Sequence, residues 1–186
     1  MSVHQAKRLI NIDEYYRMAE VGILTESDNV ELINGEIIYL SPIESKHAAM
    51  VNRLNKLLNK YLSEEAIISI QNPVKIDDLN VPEPDIALLK YAEGYYANKH
   101  PEPQEIYLVI EVSDTTVTYD KEIKLPIYAS AGIPEFWLIN IEKNEIEVHR
   151  MPGADLYKTI SILRKGDLIY LPNSSVSFDV GILLGI

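Results

Sequence analysis

The sequence contains no cysteine, which excludes disulfides and thiolate metal sites and leaves oxygen and imidazole as the only metal ligands. No run approaches the roughly 18 consecutive apolar residues that a membrane-spanning helix requires. The first residues show no basic segment leading into an apolar stretch and a small-residue cleavage site, so a cytoplasmic protein with no membrane association is expected. Internal repeats, low-complexity tracts and an interdomain linker are also lacking. With 186 residues this leads to a single domain, 1–186, large enough to bury a continuous core without staples. Positive charge is scarce: 17 Lys and Arg against 28 Asp and Glu give a formal charge of −11. Such a chain attracts nucleic acid only through a local basic stripe, a bound metal or a partner protein that supplies cations.

What is present is a mixed pattern of helices and strands. Residues 11–20 read as a helix, with Asn11 as N-cap, Asp13 and Glu14 in the first turn and Gly22 past the end. Asn34-Gly35 between two apolar runs predicts a type I′ hairpin joining strands near 30–33 and 36–40. Between Glu44 and Glu64, His47, Val51, Leu54, Leu58 and Tyr61 recur at the spacing of one helix face. Lys46, Arg53, Lys56 and Lys60 form a loose basic stripe on the same helix, a pattern that is more often a solvated face than a phosphate contact.

Short β-like runs follow at 66–70, 73–76 and 85–89, then a loop over 91–105. IYLVIEVS at 106–113 is too short for a buried helix and rich in β-branched residues, the signature of a central strand. Asp120 to Ala131 reads as a helix that Pro126 must kink or delay, and EFWLIN at 135–140 as a second buried strand holding Phe136 and Trp137. The remainder reads as the short strands of a C-terminal meander. The pattern is an α/β, mixed α and β architecture: a central mixed sheet flanked by helices in three layers or partly covered.

Glu111 stands alone inside an apolar strand, where a carboxylate must be paired, metal-bound, solvent-facing or protonated. Pro84-Asp85 opens another predicted strand, so the two carboxylates meet if those strands are neighbours. One or two carboxylates, with waters and phosphate oxygens completing the shell, are what magnesium asks for. Phosphodiester hydrolysis then needs a cation near the attacking water and the developing charge. The usual place for a lysine, two residues past the glutamate, is Ser113 here, but Lys121 and Lys124 lie on the next helix. Lys124 shares a face with Asp120 and Tyr128 at steps of four. Tyr95-Tyr96 in the polar loop can pack at a rim or stack on bases.

ELINGEIIYLSP with His47, PEPDIALL, and LVIEVSDTTVTYDKEIKLPIYASAGIPEFWLIN together resemble the bacterial Uma-two family of restriction endonuclease-like proteins, over most of the chain. The resemblance implies a PD-(D/E)XK, restriction endonuclease-like fold and a metal-dependent endonuclease that hydrolyses nucleic acid, DNA in the first instance. It implies Asp85 and Glu111 as ligands of Mg2+ or Mn2+, Lys124 as the catalytic lysine, and Glu31 and His47 as further catalytic members of the site. Glu31 reads equally as an extra ligand, a water-orienting acid or a strand-end surface residue. His47 reads as a phosphate contact, a proton shuttle or a core histidine. A homodimer, by analogy with paired cuts in two strands, and a basic partner protein are further expectations. The competing reading is a binding or assembly protein on a nuclease-like fold without hydrolysis.

Overall fold

The computed structural model describes residues 7–25, 27–62 and 64–186. The first helix, α1 (Ile12–Glu20), begins where its sequence demands. The Asn11 side chain accepts from the Glu14 amide, the Glu14 carboxylate accepts from the Asn11 amide, and the chain leaves the helix through Gly22 at φ +78°. Strands β1 (Val30–Ile33) and β2 (Glu36–Tyr39) form the expected hairpin, with Asn34 at φ 50° and Gly35 at φ 72°, the two left-handed residues of a type I′ turn.

Helix α2 (Ser45–Leu62) buries Val51, Leu54, Leu58 and Leu62. Tyr61, expected on that face, is exposed, and Leu62 replaces it because four steps of 3.6 residues drift away from a strict four-and-three pattern. Ser63, within the expected helix, lies outside the described residues.

The main sheet contains β3 (Ala66–Ile70), β4 (Ile86–Lys90), β5 (Ile106–Ser113), β6 (Glu135–Asn140), β7 (Glu145–Pro152) and β8 (Tyr157–Leu163), in that spatial order. Every adjacent pair is antiparallel except β5 and β6, which are parallel and therefore need a crossover. The helical segment 117–130 supplies it: α3 (Val117–Tyr119), a π-helical turn (Asp120–Lys124) and α4 (Leu125–Ser130), with Pro126 in the first turn of α4. Pro126 offers no amide to the preceding turn, so the ladder widens just before it.

The run 73–76 is not a strand of any sheet. Its amides bond to a nearby return of the chain, Val74 N to Pro82 O and Ile76 N to Asn80 O, which makes it one arm of a tight loop. The C-terminal part divides: β7 and β8 extend the main sheet, while β9 (Leu168–Tyr170) and β10 (Ser177–Asp179) pair separately and lead into α5 (Val180–Leu184). On one face of the sheet, α2, α5, Phe178 and Ile169 pack on Ile86, Ile110, Trp137 and Val148. On the other, Leu125, Tyr128 and the hairpin residue Ile33 pack on Val109, Phe136 and Leu138. This is a three-layer mixed α/β architecture around a six-stranded mixed sheet.

Candidate active site

Alternation along β5 decides which side chains meet. Ile110 and Val112 enter the core beneath α2, whereas Val109 and Glu111 point to the face crossed by the 117–130 segment. Glu111 is buried, and two helical residues reach it there: Tyr128 Oη donates to Oε1 at 2.8 Å, and Lys124 Nζ lies 3.2 Å from the same oxygen. Lys124 Nζ is also 3.2 Å from Glu31 Oε2 on β1. Glu31 is wholly buried and accepts further bonds from Tyr119 Oη at 3.2 Å and the Glu83 amide at 3.1 Å. Of the alternatives for Glu31, the strand-end surface residue fails, because the hairpin folds over the sheet and turns it inward.

Asp85 stands immediately before β4, next to β5, with its own amide 3.4 Å from Glu111 Oε2. Its carboxylate accepts from the Val112 amide at 2.9 Å and from Gln71 Nε2 at 3.2 Å, and lies 3.0 Å from His47 Nε2. His47 comes from α2, on the opposite side of the sheet, so the site forms at the sheet end where both helical layers converge. The sequence reading brings together Glu31, His47, Asp85, Glu111 and Lys124, and all five meet. Lys121 does not join them; its ammonium pairs with Glu147 at 2.5 Å. Ser113, at the position usual for the lysine, donates to Asp120 at 2.5 Å, and Thr116 donates to the same oxygen at 2.9 Å.

His47, Asp85, Glu111, Asp120 and Lys124 open into a cleft of about 400 Å³, lined also by Ser41, Glu44, Gln71, Glu83, Thr115 and Tyr119, and Glu31 lies buried behind it. Sequence reasoning left out Gln71, Tyr119 and Glu83. Gln71 carried a signal, a polar residue beside Pro73 and close before Asp85, and its positive φ of 49° marks a backbone held in an uncommon conformation. Tyr119 and Glu83 had no signal in sequence, since their part depends on where the β1–β2 hairpin lands.

The electrostatics of the cluster are unbalanced. Glu31, Asp85, Glu111 and Asp120 surround one lysine and one histidine. Burial pushes the Glu111 carboxyl up to about 8, opposed by Lys124 and reinforced by Asp120, Asp85 and Glu31. Burial also raises Asp120, against the hydrogen bond from Ser113. For Lys124, burial favours the neutral amine, yet Glu111, Glu31 and Asp120 outweigh it and the ammonium is held well above its ordinary range. The hydrogen bond to Asp85 raises His47 despite burial, and its Nδ1 is buried without a partner. Burial raises Tyr128 and Tyr119, both of which stay protonated as donors to carboxylates.

Among the described residues no three His, Asp or Glu side chains are gathered closely enough to form a metal cage. Magnesium does not require one, since a pair of carboxylates with waters and substrate oxygens completes its octahedron. Asp85 and Glu111, joined through the Asp85 amide, provide such a pair of oxygen ligands, and burial and the neighbouring carboxylates that raise Glu111 are the conditions a divalent cation relieves, so the residues present fit a hard divalent cation.

A mixed sheet whose one parallel step carries a helix, with two carboxylates at adjacent strand ends and a lysine delivered from that helix, defines a nuclease-like fold. Residues 12–180 match the model of the Uma2 family, described as putative restriction endonucleases, and the chain belongs to that family. Among solved structures the chain is similar to a putative nuclease belonging to DUF820 from Anabaena variabilis ATCC 29413. The TM-score is 0.75 and the identity 19%, covering 95% of this chain and 98% of that one. At that identity the likeness establishes the shared fold. No curated protein matches.

Proposed function

We propose that the protein is a magnesium-dependent endonuclease acting on DNA, with Asp85 and Glu111 as metal ligands and Lys124 as the cation beside the reacting phosphate. The single observation that carries this reading is the buried Lys124 ammonium, 3.2 Å from both Glu31 and Glu111, in a cleft whose carboxylates outnumber its cations. A divalent ion held by Asp85 and Glu111 supplies Lewis-acid charge to the scissile phosphate and to the attacking water, with Mn2+ as a substitute for Mg2+.

The protein's own groups account for the rest. Lys124 is held firmly protonated, so it does not serve as a base; it orients the attacking water and offsets charge growing on the phosphorus oxygens. Glu31, fixed by Tyr119 and the Glu83 amide and buried behind the cleft, acts through Lys124, whose ammonium it holds in position. His47, held on Asp85 with its basicity raised, is placed to contact phosphate or donate a proton to the leaving oxygen. Gln71 and the Val112 amide fix Asp85, and Tyr128 fixes Glu111, which limits the reorganisation needed at reaction.

The test is incubation with supercoiled plasmid and with labelled single-stranded DNA and RNA, in magnesium or manganese, beside Asp85→Ala prepared identically. The expected result is metal-dependent cutting of DNA that disappears in the variant. Cutting that survives Asp85→Ala would remove Asp85 from the site. Ser113 at the position usual for the lysine, and the net charge of −11, favour one second reading, a nuclease-fold binding protein without hydrolysis. A folded protein that binds neither metal nor cuts any of the three substrates would establish that reading instead.

A further inference from the structure

Helix α2 differs electrostatically from the rest of the molecule. Its 18 residues carry Lys46, Arg53, Lys56 and Lys60 and no aspartate or glutamate, within a chain of net charge −11. All four cations are exposed, and among the described residues none has a carboxylate within ion-pair distance; Arg17, Lys90, Lys143, Lys158 and Lys165 are likewise exposed and unpaired, but no other described helix or strand carries four cations. Folding does not require this basic face, because the helix already buries Val51, Leu54, Leu58 and Leu62 against the sheet. Glu44 precedes the helix and Glu64 and Glu65 follow it, so acids flank both ends, but none lies between Lys46 and Lys60 to offset the cations along its length.

The face is also continuous with the cleft. His47, next in sequence to Lys46, rests on Asp85, and Glu44 and His47 line the cleft wall. From Lys46 to Lys60 the helix climbs about 21 Å at roughly 1.5 Å per residue, close to six base-pair steps of duplex at about 3.4 Å each. The Arg53 guanidinium lies against Gly185 at the end of α5, so tightly that a side chain at Gly185 would collide with it. Exposed Asn52 adds a neutral donor alongside.

We propose that the outer face of α2 is the track along which the phosphate backbone of the substrate duplex lies as it enters the cleft. The inference rests on reading the cleft as a phosphodiesterase site, and it supplies the local basic surface that an acidic nuclease needs. Lys46, next to the cleft-lining His47, marks the end of the track nearest the cleft, Arg53 and Lys56 its middle and Lys60 its far end, and the occupant is the phosphate backbone of duplex DNA.

The experiment is fluorescence anisotropy with a labelled DNA duplex of about 20 base pairs, in calcium so that the duplex is bound without magnesium-supported cutting, across a series of salt concentrations. The full chain is compared with Lys46→Gln/Lys56→Gln/Lys60→Gln and with Arg17→Gln/Lys158→Gln, which removes exposed cations of α1 and β8. Each neutralised contact contributes about 0.9 to the slope of log affinity against log salt, so the triple variant is expected to lose about 2–3 in slope and roughly tenfold or more in affinity at about 0.1 M salt. The Arg17/Lys158 variant is expected to stay within about twofold, and melting curves of all three proteins check the fold.

Unchanged slope and affinity in the triple variant would overturn the track, as would an equal loss in the Arg17/Lys158 variant. So would tighter binding of a polyglutamate peptide than of the duplex, which would make α2 a site for an acidic protein. Magnesium-dependent cutting is scored separately. Normal cutting with an intact slope in the triple variant removes the track and leaves the hydrolysis. Duplex binding through α2 without any cutting keeps the surface and removes the hydrolysis.

Discussion

Glu111 is a glutamate in the middle of an apolar strand, and its surroundings explain why the chain tolerates it. Tyr128 and Lys124 satisfy one oxygen, the Asp85 amide approaches the other, and burial holds its pKa near 8. That shift has the opposite sign from an ordinary exposed ion-paired glutamate. The folded state grips the Glu111 proton more tightly than the unfolded chain does, so between about pH 4.5 and 8 the folded state binds more protons and stability falls as pH rises. Glu111→Gln removes this loss while keeping the shape. Urea unfolding of the metal-free protein from pH 5 to 8.5 is expected to show the wild type losing on the order of a few kcal/mol relative to the variant across that window. Parallel curves would show that Glu111 remains ionised throughout and that burial does not set its state. Single residues were also the most legible level of the sequence. A lone carboxylate in IYLVIEVS has few explanations, and a lysine spaced four from Asp120 and four from Tyr128 has few destinations. Gln71 escaped because a glutamine after a strand resembles any turn residue, and only the fold shows that its amide reaches Asp85.

At the scale of elements, the β1–β2 hairpin makes the clearest demand on its sequence, because it alone carries Glu31 into the site. Gly35 sits at φ 72°, and a Cβ there would lie 2.7 Å from Leu9 Cβ and 3.2 Å from the Ile10 carbonyl oxygen. Gly35→Ala is therefore expected to cost at least about 1–2 kcal/mol, from left-handed strain and from displacement of the segment before α1. Asn34→Gly, at φ 50°, is expected to be nearly neutral. Chemical unfolding of the two variants checks the contrast, and equal effects would mean that the turn tolerates side chains in both places. The Asn34-Gly35 pair made this hairpin readable, since few dipeptides accept two positive φ angles. The run 73–76 misled for the converse reason. Its alternation suits a strand, but its amides are satisfied locally by Pro82 and Asn80, and nothing in the pattern distinguishes a ladder from a tight loop. The π-helical turn at Asp120–Lys124 was half visible: Pro126 announced a disturbance, and packing determined that it took the form of a widened turn. That turn faces Asp120 and Lys124 into the same site.

At the scale of the molecule, the two layers on either side of the sheet each deliver part of the cleft: His47 from the α2 side, and Glu31, Lys124 and Tyr128 from the other. The division of the chain into a six-stranded sheet with one parallel step was only partly legible, because strand neighbours depend on pairings that no local pattern encodes. The overall acidity has a partial origin in the cluster itself, where several carboxylates converge on one lysine, while α2 carries four of the 17 Lys and Arg and no acid. The measurement that bears most directly on the central claim is the single-turnover rate of DNA cleavage as a function of magnesium, for the wild type and for Lys124→Met, with metal binding followed by calorimetry in both. The account predicts cleavage that rises and saturates with magnesium in the wild type, and a loss of about 10²-fold or more in Lys124→Met while metal still binds. A variant that cuts at the wild-type rate would contradict it, because the cation held between Glu31 and Glu111 would then have no part in the chemistry.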